Sequence, residues 1–229
     1  MTNSRTALVT GGAGGLGATA VATFLAAGWR VVAPVRPGSG GKVPHGAIVV
    51  SADLTNPDDA RVAAAAAADD AQAPLGAVLN LAGGYAQSGL IADTPIEDFE
   101  SMFAVNLRPT YLTTAAALPH LVAAGGGSIV CVSSRAALAP FPGASGYVTS
   151  KAAVLAFAET VAVEYRKQNV RCNTVLPSVI DTPANRTAMP DADHSRWVTP
   201  AEIASVLLFL ASAASAPTSG ARIPVYGQA

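Results

Sequence analysis

The sequence predicts an α/β fold of one domain, residues 1–229: a seven-stranded, mostly parallel sheet, doubly wound with helices on both faces. Three observations carry this. Apolar runs alternate with helix-like stretches from end to end. Most of the runs are continuous Val, Ile, Leu and Ala rather than alternating apolar and polar, the pattern of strands covered on both sides. Hydrophobic residues make up 51% of the chain and charged residues 13%, which suffices for two layers of core around a sheet.

Strands are expected at residues 7–10, 31–35, 47–51, 77–81, 128–133, 170–175 and 222–226. The first runs into Thr10-Gly11-Gly12-Ala13-Gly14-Gly15-Leu16-Gly17, which opens the first helix. After the third strand, Asn56-Pro57-Asp58-Asp59 is a capped helix start with two acids beside the positive end of the helix dipole. The alanine run at 63–68 continues that helix, alanine being the best helix former. Thr94-Pro95-Ile96-Glu97 and Thr199-Pro200-Ala201-Glu202 each fit a capping box with proline at the first helical position. The first of these predicts a long helix over 94–124. Within it Pro109 cannot donate to the carbonyl of Val105 and its ring crowds that group, so the helix should distort beside Asn106. A carbonyl freed there could hold a water, although a packing kink without a role is the plainer alternative. Another helix is expected over 147–167.

The bulk properties exclude several functions. A net charge of −1 gives no pull towards nucleic acid or an anionic membrane. The longest apolar run, 203–214, is too short for a bilayer that needs about 20 residues. Cys131 and Cys172 lie in apolar strand-like runs and read as core thiols in a reducing compartment. His45, His120 and His194 have no ligand spacing, so no metal is expected. Met1 to Arg5 runs straight into a strand without a signal-peptide pattern, and the expected location is cytoplasmic.

The glycine loop carries the first functional reading. Glycines directly after a first strand allow a tight turn and bring backbone N–H groups against a pyrophosphate at the helix N-terminus, as in a Rossmann-type dinucleotide site. An NAD site usually has an acid at the end of the second strand; here that strand ends Val35-Arg36. Arg36 can grip a 2′-phosphate with two hydrogen bonds, which favours NADP(H) over NAD(H), against the alternative of a solvated surface arginine. Asp53 and Leu54, after the third strand, stand where side chains could reach an adenine.

The second reading is catalytic. Tyr147 and Lys151, four apart, share a helix face, and an ammonium near a phenol lowers its pKa towards a working range. Ser133-Ser134 and Asn80-Leu81-Ala82-Gly83 both end strands at the carboxyl edge, where doubly wound sheets bind ligands.

Taken together, these residues resemble the short-chain dehydrogenase/reductase family over essentially the whole chain. The glycine loop, Asn80-Leu81-Ala82-Gly83, Asn106, Ser134, Tyr147-Val148-Thr149-Ser150-Lys151 and the stretch from Pro177 to Thr182 occur in the family's order and close to its spacing. The resemblance implies that Tyr147 is the general acid or base and that Lys151 lowers its pKa and holds the nicotinamide ribose. It implies that Ser134 hydrogen-bonds the reacting oxygen and that Asn106 anchors a proton-relaying water. For the cofactor it implies Gly11, Gly14, Gly15, Leu16, Gly17, Asn80, Ala82, Gly83, Pro177, Ile180 and Thr182. The implied activity is hydride transfer between nicotinamide and a carbonyl or secondary alcohol substrate; a 3-oxoacyl-thioester reductase and a non-catalytic NADP-binding or sensor protein are the alternatives. A homo-oligomer, dimer or tetramer, is also implied.

The chain departs from the family pattern at Leu81 (usually Asn), at Ser178 (usually Gly) and at Tyr226-Gly227-Gln228 (often Asp-Gly-Gly). The segment that closes over substrate in this family is short here, residues 183–199. Gly84, Tyr85, Arg135, Ala136, Phe141, Met189 and Trp197 fall near the expected pocket; Arg135 raises an anionic substrate, although a surface arginine without a ligand is the plainer reading, and Trp197 reads as a packing anchor.

Overall fold

The computed structural model describes residues 5–39 and 42–228 and joins all seven expected strands in one sheet. They are β1 (Thr6–Val9), β2 (Arg30–Val35), β3 (Ile48–Ser51), β4 (Leu75–Asn80), β5 (Gly127–Val132), β6 (Val170–Pro177) and β7 (Arg222–Val225). Their order is β3-β2-β1-β4-β5-β6-β7, and every neighbouring pair is parallel, so the sheet is wholly parallel where the sequence suggested mostly so. The helices are α1 (Gly15–Ala26), α2 (Pro57–Ala68), α3 (Ile96–Asn106), α4 (Arg108–Ala123), α5 (Ser145–Glu164), α6 (Pro183–Ala188) and α7 (Pro200–Ala211).

Alternation along each strand feeds two cores. Ala7 and Val9 of β1 and Leu79 of β4 meet Val21 and Phe24 of α1 and Ile203 and Leu207 of α7. Leu8 of β1 and Val78 of β4 turn to the opposite face, under α2, α4 and α5, with Ala63, Leu121, Val154 and Ala158. Burial on both sides is why these strands read as unbroken apolar runs. Both cysteines lie in the second core as free, buried thiols. The winding reverses between β1 and β4, which opens a crevice outside their carboxyl ends.

Two of the three helix starts behave as the sequence suggested. The Asn56 side chain accepts from Asp58 N–H at 2.8 Å, and Thr199 with Glu202 forms the full capping box of α7. Thr94 does not cap: its hydroxyl donates backwards to the carbonyls of Gly89 and Leu90, both at 3.0 Å, and α3 starts from Pro95 without a side-chain cap. The long helix over 94–124 is two helices, broken at Leu107, because Pro109 lies in the first turn of α4 and cannot continue the bonding of α3. The expected helix to Lys167 closes at Glu164 and tightens into a 3-10 turn over Arg166–Gln168, ended by Asn169 at φ 58°, a left-handed conformation that asparagine tolerates.

Residues 183–199 contain α6 and a 3-10 turn at His194–Arg196. This segment is fastened to the sheet edge, with Ile180 bridging Val198 and Asp181 N–H donating to Val198 at 2.8 Å. Trp197 is buried and packs its ring on His194, as an anchor should. No helix among the described residues is long and apolar enough to cross a membrane.

Candidate active site

The crevice is built from the ends of β1 and β4. Thr10 Oγ1 accepts the N–H groups of Leu81 at 2.9 Å and Ala82 at 3.0 Å, which pins the two strand ends together. Gly11 turns the chain at φ 71°, and a Cβ there would press on Ala82 N at 3.0 Å. Gly17 is required by packing: a Cβ would stand 2.0 Å from the Gly11 carbonyl oxygen. Gly14 is the N-cap of α1, and no side chain caps that end. The first-turn N–H groups, Gly15, Leu16 and Gly17 among them, therefore point their partial positive charge at the mouth of the crevice. Thr182 reaches across to this loop, its methyl 2.8 Å from where a Cβ on Gly15 would be. An uncapped helix start and a loop made mostly of glycine, flanked by Thr182, fit a dinucleotide pyrophosphate.

At the same edge, Tyr147 lies in the first turn of α5 and Lys151 one turn on. Ser134 follows β5 in extended conformation, and its hydroxyl lies close enough to the Tyr147 phenol to pull its pKa down while accepting Ala136 N–H at 3.1 Å. Ser133 turns the other way and donates to the Lys151 main-chain carbonyl at 2.7 Å. Lys151 Nζ donates to the carbonyl of Val132 at 3.1 Å. The Asn106 side chain clamps the loop after β4: Oδ1 accepts Gly84 N–H at 3.0 Å, and Nδ2 donates to the Gly84 carbonyl and to Ser150 Oγ, each at 3.1 Å. The Asn106 main-chain carbonyl takes the Thr110 hydroxyl at 2.8 Å. Ser150 in turn donates to the Tyr147 carbonyl, so Asn106 ties the Gly84 loop to α5.

Burial raises the Tyr147 phenol above its ordinary value, outweighing the hydrogen bond from Ser134 that lowers it; Tyr85 adds to the rise. Lys151 is pulled down to about 8, again by burial, with Cys131 opposing. The sequence suggested a phenol lowered by Lys151; in the free protein desolvation governs instead. Tyr85 stands edge-on to Tyr147, ring centres 5.0 Å apart.

Other expected residues are placed as follows. Asn80 is buried, and its amide donates to Thr114 Oγ1 at 2.9 Å and to Cys131 Sγ at 3.6 Å, on the sheet face opposite the glycine loop. Gly83 abuts Asn106 and the Lys151 ammonium. Arg36 is exposed at the end of β2, close enough for its charge to help lower the Asp53 carboxyl. That carboxyl is held mainly by Thr55, whose N–H and hydroxyl it accepts at 3.0 and 2.8 Å, so Asp53 closes a local turn rather than extending outwards. Leu54 is buried in the second core. Leu81 packs against the first core, a packing role for the departure from asparagine. Pro177 is buried at the end of β6, and the Ile180 carbonyl accepts from Asn185. Thr10 and Ser150 were not singled out by sequence; the only signals were their places next to Gly11 and Lys151.

A nucleotide cradle and an acid–base pair on one sheet edge mark the class, a nicotinamide-dependent oxidoreductase. A sequence model of the short chain dehydrogenase family matches residues 5–193. The chain is 33% identical to the 2-(R)-hydroxypropyl-CoM dehydrogenase of Xanthobacter autotrophicus, with 98% of each chain covered. It is 34% identical to a 3-oxoacyl-acyl-carrier-protein reductase of Mycobacterium bovis, covering 98% of this chain and 92% of the relative. Among solved structures, a short-chain type dehydrogenase/reductase from Mycobacterium ulcerans superimposes with a TM-score of 0.91 at 28% identity, covering 98% of this chain and 89% of the other. The chain belongs to the short-chain dehydrogenase/reductase family, whose members bind NAD(P), and is an enzyme of that family.

Proposed function

We propose that this chain is an NADP(H)-preferring carbonyl reductase, or alcohol dehydrogenase in the reverse direction. The observation that carries the reading is the Ser134 hydroxyl beside a half-buried Tyr147 phenol, with the Lys151 ammonium one helical turn away. Two hydroxyls side by side can donate to one carbonyl oxygen: Tyr147 gives up its proton as the alcohol forms, and Ser134 steadies the charge that builds before it does. Lys151 holds the nicotinamide ribose and supplies positive charge next to the phenol. Asn106 keeps the Gly84 loop and α5 in register and offers the remaining lone pair of its carbonyl to a water on the proton path. When bound, the nicotinamide supplies the hydride. The pyrophosphate is held by Gly11, Gly14, Gly15, Leu16 and Gly17 with Thr182, and the rest of the cofactor lies along Ala82, Gly83, Pro177 and Ile180. Asn80 supports this wall from behind. The chain works as one domain, with residues 183–199 as a short lid.

The test is optical: NADPH oxidation with a broad carbonyl panel, and Tyr147→Phe as the control. Turnover that persists in that variant would remove Tyr147 from the reaction. The relative that reduces 3-oxoacyl groups on a carrier protein favours a second reading, reduction of 3-oxoacyl thioesters, and acetoacetyl-CoA belongs in the panel for that reason. A pure NADP-binding or sensor protein would gain nothing from an ammonium buried beside a phenol.

Cofactor preference rests on Arg36 at the end of β2, where no acid stands to meet a ribose hydroxyl. Arg36→Asp is expected to weaken NADPH binding by about tenfold or more and to favour NADH, the loss of a charge-assisted phosphate contact. Fluorescence titration with both nucleotides reads this; unchanged affinities would take Arg36 out of the site.

A homo-oligomer, dimer or tetramer, is supported by the apolar side chains that α4 and α5 present outwards. Tyr111 is 54% exposed and packs on Phe157, and Val163 is 70% exposed. Light scattering is expected to give a dimer or tetramer, and a monomer would overturn this. Two buried free thiols suit a cytoplasmic protein in a reducing compartment.

A further inference from the structure

Two places where the chain departs from its family's pattern meet in space. Ser178, standing where glycine usually follows Pro177, donates its hydroxyl to the carbonyl of Tyr226 at 2.7 Å. The C-terminal stretch that Tyr226 begins is also tied to the lid: Gln228 N–H donates to the Arg196 carbonyl, and the Arg196 guanidinium returns two bonds to the Gln228 carbonyl at 3.2 and 3.1 Å. Tyr226, its main chain held by these bonds, carries the guanidinium of Arg135 on its ring, with Cζ 5.1 Å from the ring centre. Arg135 directly follows Ser134 and opens the 3-10 turn Arg135–Ala137 that Ser134 caps. Its main chain therefore leaves the sheet edge directly after Ser134, and its guanidinium rests on Tyr226. Among the described residues Arg135 forms no salt bridge and donates no side-chain hydrogen bond, whereas Arg186 on the lid is paired with Asp181 and Arg196 is committed to Gln228.

We propose that Arg135 is a specificity-determining residue that grips a carboxylate of the substrate, so that the ketone reduced is a short keto acid. This rests on the reductase reading above. A guanidinium laid on an aromatic face keeps its charge and its planar fork of donors while losing much of its freedom. That fork matches a carboxylate with two parallel hydrogen bonds. Arg135 is the next residue after the serine that meets the reacting oxygen, so the anion belongs to the substrate itself; a carrier's phosphate would lie a whole pantetheine arm away. Tyr226 is a positioning residue, and Ser178 sets its backbone.

The test compares kcat/KM with NADPH for acetoacetate and levulinate, each beside its methyl ester. The wild type is expected to prefer an acid over its ester. Arg135→Met should lower that acid-to-ester ratio by about tenfold or more, chiefly through KM, as loss of one charge-assisted contact implies. Arg135→Lys should keep part of the preference. Tyr226→Phe should retain it and Tyr226→Leu should reduce it. Acid and ester falling together in Arg135→Met, an unchanged ratio, or a preference confined to acetoacetyl-CoA would overturn the proposal. Calorimetry of the same acids binding to the Tyr147→Phe protein with NADPH reads the anion site without turnover. Binding that weakens when Arg135→Met is added keeps the carboxylate site even if no acid is reduced, and the reductase reading alone then falls. Binding indifferent to Arg135 ends the proposal.

Discussion

Tyr147→Phe is expected to lower kcat/KM for ketone reduction by about a thousandfold or more, the scale of a lost general acid. The substitution removes one oxygen. It leaves the ring against Tyr85 and leaves the start of α5 unchanged, so thermal unfolding should move little and the loss reports on chemistry. Burial holds the phenol above its ordinary value of 10.0, so at neutral pH it is protonated and ready to donate, which suits reduction better than oxidation in the free enzyme. The pH profile should therefore be flat through neutrality. Its first alkaline limb should fall near 8, where Lys151 gives up its proton and the positive charge beside the phenol disappears. Ionisation of the phenol itself comes later. Single-turnover measurement at saturating NADPH checks that the lost step is chemistry and not release. A variant that retains a tenth or more of the wild-type rate would show that the proton comes from elsewhere.

What could be read from the sequence was local, and what could not be read depended on distant neighbours. The glycine loop, the Asn56 cap and the Thr199–Glu202 box are settled within a few residues, and the structure forms each of those caps as the spacing suggested. Thr94 has the same local spacing as Thr199. Its hydroxyl, however, meets the carbonyls of a preceding turn, Gly89 and Leu90, and the competing bond wins. Pro109 signalled a distortion but not its extent, which is a full break at Leu107 between α3 and α4. The phenol's direction differs from the expectation for a related reason: spacing puts Lys151 one turn from Tyr147, whereas the desolvation that raises the phenol is set by everything packed around it. Ser178, Tyr226 and Arg135 are far apart in the chain, and each alone is an odd residue at a familiar position. Only the fold makes them one assembly.

Lys151→Met is expected to yield a protein that is more stable than the wild type and inactive. Lys151 is 7% exposed, its Nζ donates to the Val132 carbonyl, and no carboxylate pairs with it among the described residues. Burial lowers its pKa from 10.5 to about 8, so the unfolded chain holds this proton more tightly than the folded one. Between those two values the unfolded state carries more protons, and stability rises with pH. Below 8 the folded protein bears the whole cost of the buried charge, about 3 kcal/mol for that difference. Methionine fills a similar volume without the charge, but it leaves the Val132 carbonyl short of a donor, a loss of about 1 kcal/mol or more. The remainder, about 1–2 kcal/mol, corresponds to a rise in Tm of roughly 2–8 °C at pH 7 for a chain of this size. The gap should close and then slightly reverse as pH approaches 10.5, because the wild type then no longer carries the charge and keeps its bond to Val132. Thermal unfolding without nucleotide at several pH values measures this. A gap that is absent at pH 7, or that does not change with pH, would mean the ammonium is solvated or paired. A gap that behaves as expected would show that the chain gives up stability to keep an unpaired cation beside Val132 and Gly83, the trade expected of a functional group rather than a structural one.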